Sequence, residues 1–262
     1  MNKFLCFMSG LHIIRTVIFR VEKMSKIPFY IGNFVTMFVP DGARRARVRG
    51  NINRVLYTPR IRRFIWHTYH ERAKSIKFVR QINLNRVCLV VNDKYYVKLF
   101  RNITPQRVQN YEKLMNFIRP RISVQMPIVH ADNHMAMYVS EKIPGRSIRE
   151  IDFATVMKNE PKIKAQVAKI INEIQSIKID SIPNHELYSH SLQPERATEP
   201  KTDKPRPVLA HFDLNETNFL FDDDMNICGI IDWDMCSIAQ NPETDMFVFN
   251  RFWNRYKGAS NS

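Results

Sequence analysis

Between His211 and Trp233 the chain reads HFDLNETNFLFDDDMNICGIIDW, and three of its side chains are spaced for chemistry. Asp213 is followed five residues on by Asn218, and fourteen residues after that by Asp232. Phosphoryl transfer from ATP needs a carboxylate to accept the proton of the attacking hydroxyl. It also needs oxygen ligands that hold magnesium on the phosphates, because charge on the transferring group has to be neutralised. Asp213 suits the first role, and Asn218 with Asp232 the second.

The surrounding pattern predicts the scaffold that must position them. Phe219 to Phe221 is a short apolar run, Asp222 to Asn226 a polar turn, and Ile227 to Ile231 a second apolar run ending at Asp232. Two short strands joined by a turn follow, a hairpin that sets Asn218 and Asp232 side by side at one end. The competing reading is that these are loop acids in a solvated turn. It holds for most single aspartates, but it fits this spacing and its apolar flanks poorly.

HFDLNETN and GIIDWD resemble the catalytic loop and metal-binding segment of the aminoglycoside phosphotransferase and choline kinase superfamily, relatives of the protein kinases. The resemblance implies Asp213 as catalytic base, Asn218 and Asp232 as Mg2+ ligands, and His211 as a structural support of the loop. The family usually has a small residue after the His, where this chain has Phe212; it has an aromatic after the metal-binding Asp, here Trp233. Asp245, in NPETDMF, falls where the family has an Asp opening the next helix. Read alone it is an N-cap, and the two readings are compatible. The fold implied is α+β and two-lobed, protein-kinase-like, with a small antiparallel β lobe and a helical lobe.

The expected nucleotide side lies upstream. Val87 to Val91 and Tyr95 to Phe100 are apolar runs separated by Asn92-Asp93-Lys94, a hairpin signal. Before them, QINLNR (81–86) sits where a nucleotide-covering loop belongs, although it has no glycine. Lys98, in YYVKLF, occupies an apolar strand, where a lone ammonium is costly unless paired. Its natural partner is Glu112, in the helical run RVQNYEKLMNFI; otherwise Lys98 snorkels from an edge strand. By the resemblance, Lys98 holds the ATP phosphates and Glu112 holds Lys98. Met135 to Val139 reads as a strand entering SEKIPGRSI, which looks like the family's interlobe connection. Backbone groups around Ser140, Glu141 and Ile143 would then bind adenine, and Gly145 would let the chain turn.

Composition and charge bound the rest. With 262 residues, 44% apolar and 11% aromatic, the chain is long enough for a buried core and an extension. Cys6, Cys88, Cys228 and Cys236 lack metal-ligand spacing and read as buried, reduced thiols, consistent with a cytoplasmic protein. His67 and His70, without a nearby Cys pair, make a poor zinc site. Residues 1–80 hold 17 Lys and Arg against three acids, a net +14, whereas the remainder is near neutral at +1. A basic arm is therefore joined to a near-neutral body.

In that arm, aromatics such as Phe34, Phe38, Phe64 and Trp66 are interleaved with arginines including Arg44, Arg45, Arg47, Arg54, Arg62 and Arg63. The mixture suits an anionic membrane surface. It also suits nucleic acid, whose phosphates ask only for the cations, or a solvated arm that merely packs on the body. FVPDGARRARVR has a short likeness to N-terminal segments of bacterial enzymes that build surface polysaccharide and lipopolysaccharide at the inner membrane, which favours the membrane over nucleic acid. Residues 1–23 carry an apolar stretch broken by His12 and Arg15, too short and broken to span a bilayer, with no cleavage site after it. They either lie in a membrane interface or precede a true start at Met24.

Residues 162–178 place Ile163, Val167, Ile170, Ile174 and Ile177 at helical spacing, an amphipathic core helix. Five prolines mark 181–207 as a long loop bordering the catalytic loop. After Asp245 only a short helix, Met246 to Tyr256, is visible, without the further helices that build the acceptor pocket in the family. The expected organisation is a basic extension over 1–76, an N-lobe over 77–139 and a C-lobe over 140–262. The expected function is ATP-dependent transfer of the γ-phosphate to a hydroxyl of a small molecule or sugar in surface glycan or lipopolysaccharide biosynthesis, by a cytoplasmic protein peripheral to the inner face of the membrane. An atypical protein kinase and a non-catalytic ATP-binding pseudokinase module are the alternatives.

Overall fold

The computed structural model describes residues 31, 42–83, 86–182, 192 and 199–259, and the expectations for residues 1–23 and most of the Pro-rich loop lie outside these. The chain divides into two units. One comprises Met1–Gln109 and His130–Ser140, the other Asn110–Val129 and Glu141–Ser262.

The first unit is a sheet backed by a helix. Strands β1 (Ile76–Asn83), β2 (Arg86–Val91) and β3 (Tyr95–Phe100) run antiparallel, and the five-stranded sheet is completed in the order β1-β2-β3-β5-β4 by β4 (Val129–Ala131) and β5 (Met137–Glu141). Val87, Leu89 and Val91 alternate into the core, as do Tyr95, Val97 and Leu99 on the partner strand, the period of two that a one-sided sheet demands. Asn92 and Asp93 both sit at φ 55°, and the Lys94 N–H donates to Val91 O at 3.0 Å, so the hairpin closes through the doubly left-handed turn that matches strand twist. Within the 81–86 segment, Gln81 to Asn83 end β1, and Asn83 pairs with Arg86.

Where the sequence suggested only a basic extension, residues Gly42–Tyr69 form a 28-residue helix, α1. Tyr57, Ile61 and Ile65 join Val87, Leu89, Val97 and Met137 in one apolar cluster, so the helix's inner face is part of this unit's core. Gly50 permits the close approach: a Cβ there would collide with the Phe78 ring. Pro59 lies inside α1, where it removes one backbone donor, and the Thr58 hydroxyl donates to Arg54 O at 2.7 Å in the same turn.

Helix α2 (Pro105–Ile118) leads into the second unit, which is mostly helical with short hairpins. Helix α3 (Phe153–Lys158) is capped by Asp152, whose carboxylate accepts the Thr155 N–H at 2.8 Å. In α4 (Glu160–Ser176) Ile163, Val167, Ile170, Ile171 and Ile174 are buried, the predicted amphipathic helix. Strands β6 (Arg146–Ser147), β8 (Phe219–Phe221) and β9 (Ile227–Ile230) form one small sheet, and β7 (Val208–Ala210) pairs antiparallel with β10 (Ser237–Ala239). The final helix, α5 (Thr244–Ala259), buries Val248, Phe249 and Trp253. Among the described residues no helix is long and apolar enough to cross a membrane.

Candidate active site

The second unit builds its polar centre on a loop clamped from below. Strand β7 delivers His211, which is fully buried. Asp245, fully buried in the first turn of α5, accepts the His211 N–H on one carboxylate oxygen at 2.9 Å and the Phe212 N–H on the other at 2.8 Å. Phe212 itself has φ 64°, an unusual backbone state for a bulky residue that persists only where surroundings enforce it. The two bonds to Asp245 and the burial of the Phe212 ring beside Val208, Ala210 and Met235 supply that enforcement. Burial raises the Asp245 carboxyl to about 6, against the two N–H donors, which favour the anion.

The His211 ring is fixed at both nitrogens. The Asp213 N–H donates to Nδ1 at 3.2 Å, so Nδ1 is the acceptor and the Nε2–H donates to Ile231 O, also at 3.2 Å. The ring lies 4.5 Å from the Trp233 ring, centroid to centroid. Burial pushes the imidazole down to about 4, although the Asp232 charge pulls the other way, so the ring is neutral at physiological pH. It is a spacer with two directed bonds, one to the segment carrying Asp213 and one to the segment carrying Asp232.

Asp213 follows at once. Its Oδ1 accepts from Asn215 Nδ2 at 3.0 Å, and its backbone oxygen accepts from Asn218 Nδ2 at 2.7 Å. The second bond orients the Asn218 carboxamide, which is nearly buried, and leaves its oxygen for another partner. The β8–β9 hairpin then pairs Phe219 with Ile230, and the Ile231 N–H donates to Asn218 O at 3.0 Å. Asn218 and the residue before Asp232 are thus directly bonded. Asp232 adopts the left-handed conformation, φ 61° and ψ 51°, which Asp tolerates better than most residues.

Oxygen donors of this kind suit magnesium, which takes one or two protein ligands and fills its remaining positions with water and substrate phosphates. No group of three or more His, Cys, Asp or Glu side chains that could hold a metal ion is assembled among the described residues. The donor chemistry fits Asn218 and Asp232 as holders of such an ion.

The upstream candidates are spread over both units. Lys98 lies in β3 of the first unit, opposite Cys88, with its Nζ 5.7 Å from the centre of the Tyr138 ring. Glu112 lies on α2, in the second unit. Ser140 is nearly buried in β5; Glu141 and Ile143 line a cavity of about 450 Å³ with Arg119, Met126, Lys142 and Pro144. Gly145 has φ 123°, and a Cβ there would come within 2.8 Å of Cys228 Sγ and 2.9 Å of Leu220 Cβ, so dihedral and space both require glycine. Of the described cysteines, Cys236 is buried and its thiol is pushed well up by burial, whereas Cys88 and Cys228 are half-buried; all three are free thiols.

Two acids in this centre escape sequence reasoning. Asp234 is fully buried beside the loop, and Glu216 is nearly buried, with one oxygen lacking a hydrogen-bond partner and the other 3.7 Å from Arg149. An acid in a polar run carries no mark of burial, so nothing in the local sequence separates these two from surface residues.

Residues 190–245, which span this loop, match the sequence profile of the Phosphotransferase enzyme family. The fold is similar to that of an aminoglycoside 2'-phosphotransferase-IIIa bound to GDP, with a TM-score of 0.54 and 17% identity over 77% of this chain and 79% of that one. It is also similar to aminoglycoside phosphotransferase APH(2'')-Ib bound to ADP, with a TM-score of 0.52 and 16% identity over 71% and 72%. The macrolide 2'-phosphotransferase MphH from Brachybacterium faecium gives 0.51 and 13% over 72% and 76%. No curated protein matches the chain. The fold has the expected α+β, kinase-like architecture, and the matched segment is similar to the Phosphotransferase enzyme family over the loop described above.

Proposed function

We propose that the chain is an ATP-dependent phosphotransferase that moves the γ-phosphate to a hydroxyl of a small molecule or sugar. The observation that carries this reading is the coupling of Asp213 to Asn218: the carboxamide is held on the Asp213 carbonyl, and the same Asn carbonyl ties to the residue before Asp232. In this proposal Asp213 orients the acceptor hydroxyl and takes its proton. Asn218 and Asp232 hold Mg2+, which neutralises charge on the phosphates when bound. Lys98, oriented by Glu112, contributes the second positive charge, and backbone groups around Ser140, Glu141 and Ile143 receive adenine. His211 and Asp245 position the loop. The similar folds crystallised with GDP, ADP and aminoglycosides or ATP support the same class of reaction.

The finer reading is an acceptor on a surface glycan or lipopolysaccharide precursor, phosphorylated at an anionic membrane surface that the basic N-terminal part would engage. It rests on the charge asymmetry and the short FVPDGARRARVR likeness. The test is transfer of label from magnesium-bound ATP into a detergent extract of host membranes, comparing the unmodified chain with Asp213→Asn. General-base removal should lower turnover by about 10²–10⁴-fold with folding intact. Label in a glycolipid or polysaccharide fraction, lost in the variant, is the expected result. Equal labelling by both chains would overturn the role of Asp213, and label on protein would replace the glycan acceptor with a polypeptide.

A further inference from the structure

On the first unit, the outer face of α1 is both apolar and cationic. Val55 is 61% exposed, Leu56 42% and Trp66 50%. Counted at 100° per residue from Arg62, Val55 and Trp66 fall within about 40° of it, so the three share one face. Arg62, Trp66, Arg72, Ala73 and Lys74 line a cavity of about 460 Å³.

This cation cluster is not neutralised from within. Asp132 faces Arg60, Asp93 is paired with Lys77, and Glu71 with Lys94. Among the described residues, Arg62, Arg72 and Lys74 have no carboxylate at ion-pair distance. Nor is the cluster floppy. The Asn92 side chain accepts the Lys74 N–H at 2.8 Å and the Ser75 N–H at 3.2 Å, and donates to Arg72 O at 2.9 Å. The β2–β3 turn therefore holds the backbone carrying Arg72 and Lys74 beside the end of α1.

We propose that this face docks the protein on an anionic lipid surface. A headgroup phosphate would sit among Arg62, Arg72 and Lys74, with Trp66 and Val55 entering the headgroup–acyl boundary. Charge complementarity supplies the attraction, because each cation near an anionic surface adds favourable free energy. The apolar residues decide between lipid and nucleic acid. A polyphosphate rewards only the cations, whereas an interface also takes up half-exposed Trp and Val side chains. The proposal rests on the membrane reading above and assigns its site; it does not depend on which hydroxyl is phosphorylated.

The test is flotation of the full chain with vesicles of equimolar phosphatidylglycerol and phosphatidylcholine, against phosphatidylcholine alone. Arg62→Gln/Arg72→Gln/Lys74→Gln should lower partitioning onto the anionic vesicles by on the order of a hundredfold, and Trp66→Ala by on the order of tenfold. Circular dichroism should show both variants folded, since the altered side chains are exposed. Of the three tryptophans, Trp233 and Trp253 are buried, so the anionic vesicles should blue-shift emission through Trp66 alone, and Trp66→Phe should abolish the shift. If the unmodified chain and the triple variant float equally, the membrane reading stands on another segment and this site is wrong. If the unmodified chain does not float, both fall. Retention of a single-stranded RNA oligonucleotide that the triple variant loses and Trp66→Ala keeps would make the patch a nucleic-acid site and overturn the proposal.

Discussion

Asp245 and Asn53 are both fully buried polar side chains, one in each unit, and they are built into the fold in opposite ways. Asp245 uses both oxygens to hold the backbone that precedes Asp213. Asn53 sits on the inner side of α1, one turn before Tyr57, and neither its Oδ1 nor its Nδ2 has a hydrogen-bond partner. A buried polar group costs free energy to desolvate, and only directed bonds offset that cost. At Asp245 the offset coincides with a left-handed Phe212, a backbone state that nothing local favours. At Asn53 no such return is visible. The contrast separates polar burial that determines a conformation from polar burial that only weakens a core.

The sharpest break of this contrast is Asp245→Ala. It leaves two buried backbone N–H groups without partners, each costing about 1–3 kcal/mol, so the chain should lose roughly 2–6 kcal/mol of stability. The urea midpoint of the variant measures it. A midpoint within error of the parent would mean that the clamp is dispensable and that Phe212 holds its backbone unaided.

The pH dependence of stability sharpens the same point, because the clamp and the ring beside it titrate in opposite senses. His211 is lowered from 6.5 to about 4, so between those values the unfolded chain binds a proton that the folded chain refuses. Its contribution is complete above pH 6.5 and is lost as pH falls toward 4. Asp245 is raised from 3.8 to about 6, so over that range the folded chain binds the extra proton. Its contribution is complete below pH 3.8 and is lost as pH rises through 6. Between about pH 4 and 6 the two slopes largely cancel. Asp245→Asn removes the second, and stability should then climb with pH across that window by up to about 3 kcal/mol more steeply than in the parent. Parallel curves for parent and variant, from urea unfolding at a series of pH values, would refute the opposed titration.

The same distinction explains which parts of the molecule were legible in the sequence. Strands β2 and β3, the Asn92-Asp93 turn, the β8–β9 hairpin and α4 all announce themselves through local period and turn chemistry, and the structure has each of them. The spacing that singled out Asp213, Asn218 and Asp232 is local too, since one short hairpin spans it. Helix α1 was missed because Pro59 interrupts it and arginines crowd its sequence, although Tyr57, Ile61 and Ile65 repeat every fourth residue on the buried side. The Asp245 clamp reaches over more than thirty residues of chain, so its sequence signal was only that of a helix start. Burial of Glu216 and Asp234 depends on what packs around them, which no single stretch encodes.

Asn53→Leu carries the contrast to its smallest effect, and reverses its sign. Leucine has the same number and branching of side-chain heavy atoms as asparagine, is the better helix former, and has no polar atoms to desolvate. Because both polar atoms of Asn53 are unpartnered, the substitution breaks no hydrogen bond and should stabilise the chain by about 1–3 kcal/mol. For a chain of this size that is a rise in midpoint temperature of several degrees. Most core substitutions destabilise, so a gain here is a stringent outcome. A loss of stability would mean that Asn53 is satisfied in solution by a buried water. In that case the polar groups under α1 and under the His211–Asn218 loop obey one rule, and the difference between the two units disappears.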